Sequence, residues 1–354
     1  MKIDRVDLYH LAIPFRFVLP QWSNNIVLRL MLEDGTIGFG ECQALDDKSI
    51  LDAFDPACLA PLHFDDPEDF TTFMRAGAIA IDGNALRCLI ELALVDAYGR
   101  AFGLTVYEIF NRPAGPYCPY GGVTDSATLD VARLFDAGFT RLKLKLDSSG
   151  ADRDALRACR AVFGPEVRVG IGTTAIWTAD QAIAAIRGWT PFGIDYVEQP
   201  VPRDDHAGLA RVAAQAGADI ILDETVCSLQ EARDAIHQHL GHGINVRLSK
   251  VGGFVPALAI SDLVQRHGLR HHIGASMGET GILAAAGRHL AAMTAPRTLE
   301  GSYGDLLLKE DVTVPSVRFG HGGIGEPIEG PGLGITVARE RIDRHKIEQR
   351  TFVL

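Results

Sequence analysis

The alternation of apolar and polar positions divides this chain into two parts. In the first, apolar-rich runs at residues 26–32 and 37–41 flank Glu33, Asp34 and Gly35, which predicts a β-hairpin closed by a glycine turn. At Asn84 the pattern turns helical. The stretch NALRCLIELALVDAYGRAFG is apolar almost all round and stops at Gly103, so it predicts one long buried helix. These elements predict an α+β unit over residues 1–118.

From about Tyr120 short β-rich runs alternate with helical stretches. The runs are TRLKLKL, VRVGIG, DYVEQP, DIILDE, INVRLS, LRHHIGAS and TLEGS, and they end near residues 145, 172, 198, 223, 247, 274 and 300. Successive spacings of 27, 26, 25, 24, 27 and 26 are each the length of one strand, one helix and two loops. With an eighth strand expected at residues 119–124, this regularity predicts a closed parallel barrel over 119–325 rather than an open sheet. Residues 326–354, which include PGLGI, lack the barrel period and are expected to pack back on the first unit.

A chain of 354 residues exceeds what one ordinary core supports, in keeping with two units. The formal charge of -11, with no cluster of Lys or Arg, argues against nucleic acid or an anionic membrane surface as partner and leaves small molecules. The start MKIDRVDLYHLAIPF is no basic-then-apolar leader, and no apolar run approaches membrane-spanning length, so a soluble cytoplasmic protein is expected. Six widely separated cysteines without CxxC spacing fit reduced thiols.

In a parallel barrel the chemistry stands at the C-terminal strand ends. There the chain offers Lys143 and Lys145, Gly172, Glu198, Asp223, Arg247 and Glu279. Strand period two puts Lys143 and Lys145 on one face, and charged groups on the inward face of a barrel need a reason. Two carboxylates beside two lysines suit a divalent cation with an amine base, the lysine pKa being lowered by its cationic neighbour.

The segments LKLKL, YVEQP, LDET, NVRLSKVGG, GASMGET and PGLGI, in this order and spacing, resemble the muconate lactonizing enzyme subgroup of the mandelate racemase/muconate lactonizing enzyme family in the enolase superfamily. GFGE at 38–41 and the ALVDAYGRAFG helix are similar to that family's capping domain. The resemblance implies a (β/α)7β TIM-like barrel with an N-terminal α+β capping domain completed by the C-terminal segment, and a homo-oligomer. It implies isomerase or lyase chemistry by removal of the proton α to a carboxylate of a small molecule, with Mg²⁺ stabilising the enediolate. Carried over by position, Lys145 matches the base, Lys143 its electrostatic partner, Glu198 and Asp223 two metal ligands, and Glu224 the acidic residue that follows. Ser276 and Glu279 belong to the substrate side, and residues 13–25, with Phe15, Phe17 and Trp22, match a loop that closes over substrate.

Two positions depart from the family pattern. Gly172 and Thr174 stand where the family has Asp-x-Asn, and Arg247 stands where it has a second lysine. Lys250, three residues on, is expected to face the other side. Arginine is no proton acceptor at physiological pH, though it pairs bidentately with carboxylates. Three replacements for the lost ligand are open: Mg²⁺ on Glu198 and Asp223 with extra waters, the expected one; hydroxyls of Thr173 or Thr174; or Arg247 and the lysines without metal. With one lysine left, cycloisomerisation or syn elimination is expected over two-base racemisation. A catalytically degenerate barrel that binds a ligand or serves in assembly is the alternative. His271 and His272 are expected to be structural.

Overall fold

Period-two strands and one all-round apolar helix build the first unit. Its sheet contains β1 (Ile3–Leu11), β2 (Asn25–Leu32) and β3 (Ile37–Gln43), with the β2–β3 hairpin turning at Gly35, whose φ of 86° only glycine adopts readily. In this computed structural model residues 1–16, 21–43, 49–77, 79, 81–125, 131–146, 152–173 and 175–354 are described. The helix Asn84–Phe102 lies across the sheet and ends at Gly103 in the left-handed conformation. It fits there because β3 carries Gly38 and Gly40: a Cβ on Gly40 would stand 1.9 Å from the Leu89 carbonyl oxygen, and one on Gly38 2.1 Å from the Ala97 nitrogen.

After the short β4 (Cys118–Pro119), the chain enters the parallel sheet: β5 (Gly122–Asp125), β6 (Arg141–Lys145), β7 (Arg168–Gly172), β8 (Ile194–Glu198), β9 (Asp219–Leu222), β10 (Gly243–Val246), β11 (Arg270–Ile273) and β12 (Thr298–Leu299). These eight pair in sequence order, and a parallel bridge from Tyr120 to Leu299, with the Gly121 N–H donating to the Leu299 carbonyl at 2.9 Å, joins the last strand to the first. The strand ends fall where the 24-to-27-residue spacing predicts them. The (β/α)7β barrel class with its added antiparallel domain is the fold observed.

Beyond the barrel, β13 (Ile324–Gly325) pairs with β4, and β14 (Lys346–Val353) returns to pair antiparallel with β1. PGLGI docks on the long helix. Asp96, fully buried, accepts from the backbone N–H groups of Phe39 and Leu333, both at 2.9 Å, and from Arg100 Nε at 2.8 Å. One carboxylate thereby joins β3, the helix and the C-terminal segment.

Two further carboxylates of the first unit reach into the barrel. Glu41 on β3 accepts from the Thr280 and Leu283 N–H groups, both at 2.8 Å, at the start of the helix Gly281–Thr294. Glu91 accepts from the Phe254 N–H at 2.6 Å and the Val255 N–H at 3.1 Å, at the start of the helix Phe254–Arg266. Each satisfies amide donors that a helix start leaves without an intrahelical partner and meets the positive end of the helix dipole. All six cysteines are free thiols. Among the described residues no helix is long and apolar enough to cross a membrane.

Replacing Asp96 with Ala strands two backbone amides, that of Leu333 buried, and the Arg100 guanidinium, and is expected to lower stability by about 3 kcal/mol. Urea unfolding followed by far-ultraviolet circular dichroism measures the loss; a midpoint equal to that of the unaltered chain would contradict the role given to Asp96.

Candidate active site

The register of the barrel strands puts Lys145, Gly172 and Glu198 side by side across β6, β7 and β8, and Lys143, Gly170 and Tyr196 side by side two residues earlier. Both glycines make space. A Cβ on Gly170 would lie 2.1 Å from the Tyr196 ring, and one on Gly172 would lie 2.9 Å from Lys143 Cε and from Lys145 Cδ and Nζ. The lysine ends thus occupy the direction a side chain at 172 would take.

The two lysines differ in their surroundings. Lys143 is buried, its side chain 4% exposed, and donates from Nζ to Glu198 Oε1 at 2.6 Å and to Glu300 at 2.9 and 3.1 Å. Burial alone disfavours its ammonium, but Glu198 and Glu300 outweigh that and hold its pKa well above the usual lysine value. The expected lowering by a cationic neighbour therefore does not occur at Lys143, because two carboxylates stand closer to it than any cation. Lys145 has a side chain 44% exposed, with Nζ 3.9 Å from Glu198 Oε1.

Asp223, directly after β9, accepts on Oδ1 from Arg247 Nε at 3.0 Å and from Lys250 Nζ at 2.9 Å. Burial would raise its pKa, yet Lys250 and Arg247 prevail and hold it at about 2. Lys250 was expected on the opposite face, and it is not: β10 ends at Val246, the helical turn Leu248–Val251 follows, and that turn brings Lys250 back over Asp223 and the Asn245 carbonyl. Strand period does not extend past the strand. Asn245 donates to Glu198 Oε2 at 3.0 Å. Arg247 Nη2 lies 3.5 Å from Glu224, which is half exposed. Gln199, buried and with φ of 42°, accepts on Oε1 from the Asp223 N–H at 2.9 Å and so fixes the loop after β9.

A cavity is lined by Arg247, Ser276, Glu279 and Glu300, among others. Glu279 is buried, and burial together with Glu41 holds its pKa well above the carboxylate range. Trp22 is 54% exposed, next to a segment in which Asn25 Nδ2 donates to the Gly278 carbonyl and Gln43 donates to that of Met277. Phe17 and Thr174 lie outside the described residues. The Thr173 hydroxyl is turned to the Glu198 and Gln199 carbonyls, both at 2.7 Å. His271 bonds Ser261 at 3.0 Å, and His272 packs edge-on against Tyr196 with ring centroids 4.7 Å apart. Glu300, Asn245, Lys250 and Gln199 were not singled out beforehand as members of this cluster. The repeat spacing, whose last strand ends near 300, is the signal that would have found Glu300.

Residues 127–341 match the family described as Enolase C-terminal domain-like. This chain belongs to the enolase superfamily. Within it the relatives are those of the mandelate racemase/muconate lactonizing enzyme family. The N-succinylamino acid racemase of Amycolatopsis sp. is 33% identical over 373 residues, covering 97% of this chain and 97% of that protein. The chloromuconate cycloisomerase of Cupriavidus pinatubonensis is 27% identical over 91% of this chain and 94% of its own. The solved dipeptide epimerase from Cytophaga hutchinsonii, complexed with Mg and the dipeptide D-Ala-L-Val, has a TM-score of 0.84 at 22% identity, covering 99% of this chain and 100% of that one. Its likeness establishes the fold.

Members of the superfamily generally bind Mg²⁺, so the donor set needs testing against that ion. Mg²⁺ requires near-octahedral oxygen ligands at 2.0–2.1 Å. Both oxygens of Glu198 accept from nitrogen donors, Asp223 is shared by Arg247 and Lys250, and position 172 supplies no oxygen. Among the described residues no group of three or more His, Cys, Asp or Glu side chains is placed to hold a metal. The residues present do not fit the ion.

His272 generates a test of the barrel interior. Neither ring nitrogen has a hydrogen-bond partner, and burial first, then Lys143, lowers its pKa to about 3. A depressed folded value means a contribution fully present above the unfolded pKa of about 6.5 and lost as pH falls toward 3. His272→Phe removes that proton site. The stability of the variant relative to the unaltered chain is expected to rise by about 1.4 kcal/mol per pH unit below pH 6. Urea midpoints at successive pH values measure it, and a pH-independent difference would refute it.

Proposed function

We propose that this protein removes the proton α to the carboxylate of a small organic acid, with Lys145 as the base. The observation that carries the reading is the division of labour between the two lysines of LKLKL. Lys143 is buried and held charged by Glu198 and Glu300, whereas Lys145 reaches from the same strand toward solvent. A base must meet the substrate, and an electrostatic stabiliser must keep its charge. The relatives that share this barrel are isomerases whose names specify N-succinylamino acid and chloromuconate chemistry.

The steps follow from the residues. A substrate carboxylate enters the cavity lined by Arg247, Ser276, Glu279 and Glu300, where the guanidinium supplies charge-assisted hydrogen bonds. Lys145 Nζ takes the α-proton and becomes an ammonium. Negative charge then moves to the carboxylate oxygens as the enediolate forms, and preorganised cations offset it, one such donor being worth about 2.7 to 4 kcal/mol. Collapse of the enediolate expels a β-substituent, a lactone oxygen included, and the Lys145 ammonium returns its proton to that leaving group on the same face; run in reverse, the same steps close a ring. Arg247 does not relay protons, which favours this one-base chemistry over racemisation.

A second reading, a barrel that binds a carboxylate without turning it over, is favoured by the joint occurrence of Gly172 and Arg247. One experiment decides between them. The protein in D₂O, with N-acyl amino acids, dipeptides, muconate and sugar acids as substrates, is expected to exchange an α-proton visible by NMR. Lys145→Ala is expected to slow that exchange by about 10² to 10⁴-fold with unchanged circular dichroism. Exchange that survives the substitution excludes Lys145 as base, and no exchange across the panel selects the binding barrel.

A further inference from the structure

We infer that this site binds its carboxylate substrate directly through Arg247 and works without a divalent cation, Gly172 and Arg247 being the two positions that make it so. The inference rests on the carboxylate substrate proposed above, but its main test does not involve turnover.

The first ground is steric. Lys145, Gly172 and Glu198 are register partners in one layer of the barrel. With no side chain on the middle residue, Lys145 Nζ approaches Glu198 to 3.9 Å, and the Cβ that a third carboxylate ligand needs would sit 2.9 Å from Lys143 Cε and Lys145 Nζ. Ammonium groups stand where the ligand would be. A glycine here is not required by the backbone, since Gly172 is absent from the positive-φ residues. The missing side chain is a feature of the site and not of the fold.

The second ground is charge. Four basic groups, Lys143, Lys145, Arg247 and Lys250, already face the carboxylates Glu198, Asp223, Glu224 and Glu300 within ion-pair distance. A dication added to that set would have to compete with these basic groups for Glu198 and Asp223, both already committed to nitrogen donors. An anion meets the opposite situation, because Arg247 lines the cavity together with Ser276 and Glu279.

The third ground is the chemistry of the substitution itself. A lysine at 247 would be a compact ammonium able to exchange a proton, while arginine offers a planar fork that matches a carboxylate and stays protonated. In this site Nε and Nη2 are oriented by Asp223 and Glu224, which fixes the plane of the fork. Loss of the metal ligand and gain of the guanidinium are thus complementary. One removes a carboxylate that would hold a cation, and the other adds a cation that holds a carboxylate.

The experiment titrates MgCl₂ and MnCl₂ into the EDTA-treated full chain, reading heat by calorimetry and free Mn²⁺ by its electron paramagnetic resonance signal. The unaltered protein is expected to bind neither ion at millimolar concentration. The double variant Gly172→Asp/Arg247→Lys, checked for folding by circular dichroism, is expected to bind one ion per chain. One ion bound by the unaltered protein and lost in Glu198→Gln would overturn the inference. So would a folded double variant that binds nothing, since the loss would then lie elsewhere. Should the double variant not fold, Arg247→Lys and the unaltered chain are compared with malonate as probe. Malonate is expected to raise the thermal midpoint of the EDTA-treated unaltered protein, with affinity falling about tenfold or more in Arg247→Lys. A malonate effect that needs added Mg²⁺, or none under either condition, overturns it. Failure of the α-proton reading appears instead as an inert Lys145 in the exchange assay, so the two are distinguishable.

Discussion

The ammonium of Lys143, shared between Glu198 and Glu300, is the interaction on which the barrel interior depends. Burying an ammonium and two carboxylates costs several kcal/mol per ion, recovered only when every charge has a partner at short range. Here Nζ lies 2.6 Å from one carboxylate and 2.9 Å from the other. The partners sit on β8 and just after β12, while Lys143 is on β6, so one ammonium spans the seam where the last strand meets the first. Removing Lys143 would leave two buried carboxylates without the ammonium they share. A fully engaged Lys143 is a fixed positive charge, whereas Lys145 keeps an exposed side chain.

Most of the fold was legible in the chain because it is periodic. Strand ends every 24 to 27 residues, a hairpin at Gly35 and a helix stopped by Gly103 are local features, and local features survive reading in one dimension. The candidate site was legible in its departures: Gly172 and Arg247 are visible against the order of the surrounding motifs. What the linear reading misplaced depended on contacts across the fold. The charge state of Lys143 is set by Glu198 and by Glu300, the second of them 157 residues away. Lys250 was misplaced because the strand period was carried into a helical turn. Gln199 escaped notice because its work, holding the Asp223 amide, is done through the backbone.

The framework of the barrel and the two unusual positions at its mouth, Gly172 and Arg247, lie in different places. The glycines of GFGE, the Asp96 staple and the barrel closure at Tyr120 concern packing alone, and they hold here as a barrel with an appended sheet demands. The two altered positions touch none of these. Gly172 has unstrained backbone and Arg247 follows the end of β10, so both could change with the architecture intact. Gly172 and Arg247 are separable from the fold because neither belongs to the framework that holds the barrel together.

Glu41 and Glu91, described as caps on the helices Gly281–Thr294 and Phe254–Arg266, carry a consequence for the birth of the molecule. On the ribosome the first unit emerges with two carboxylates aimed at helix starts that have not yet been made, and with the β1 edge open until β14 appears. The long helix can settle on its hairpin early, but the sheet stays one strand short through the synthesis of the whole barrel. Such an edge is a template for wrong pairing. The chain therefore completes its oldest part last, and the interval between those events is when the nascent protein most needs its exposed edge kept from neighbours.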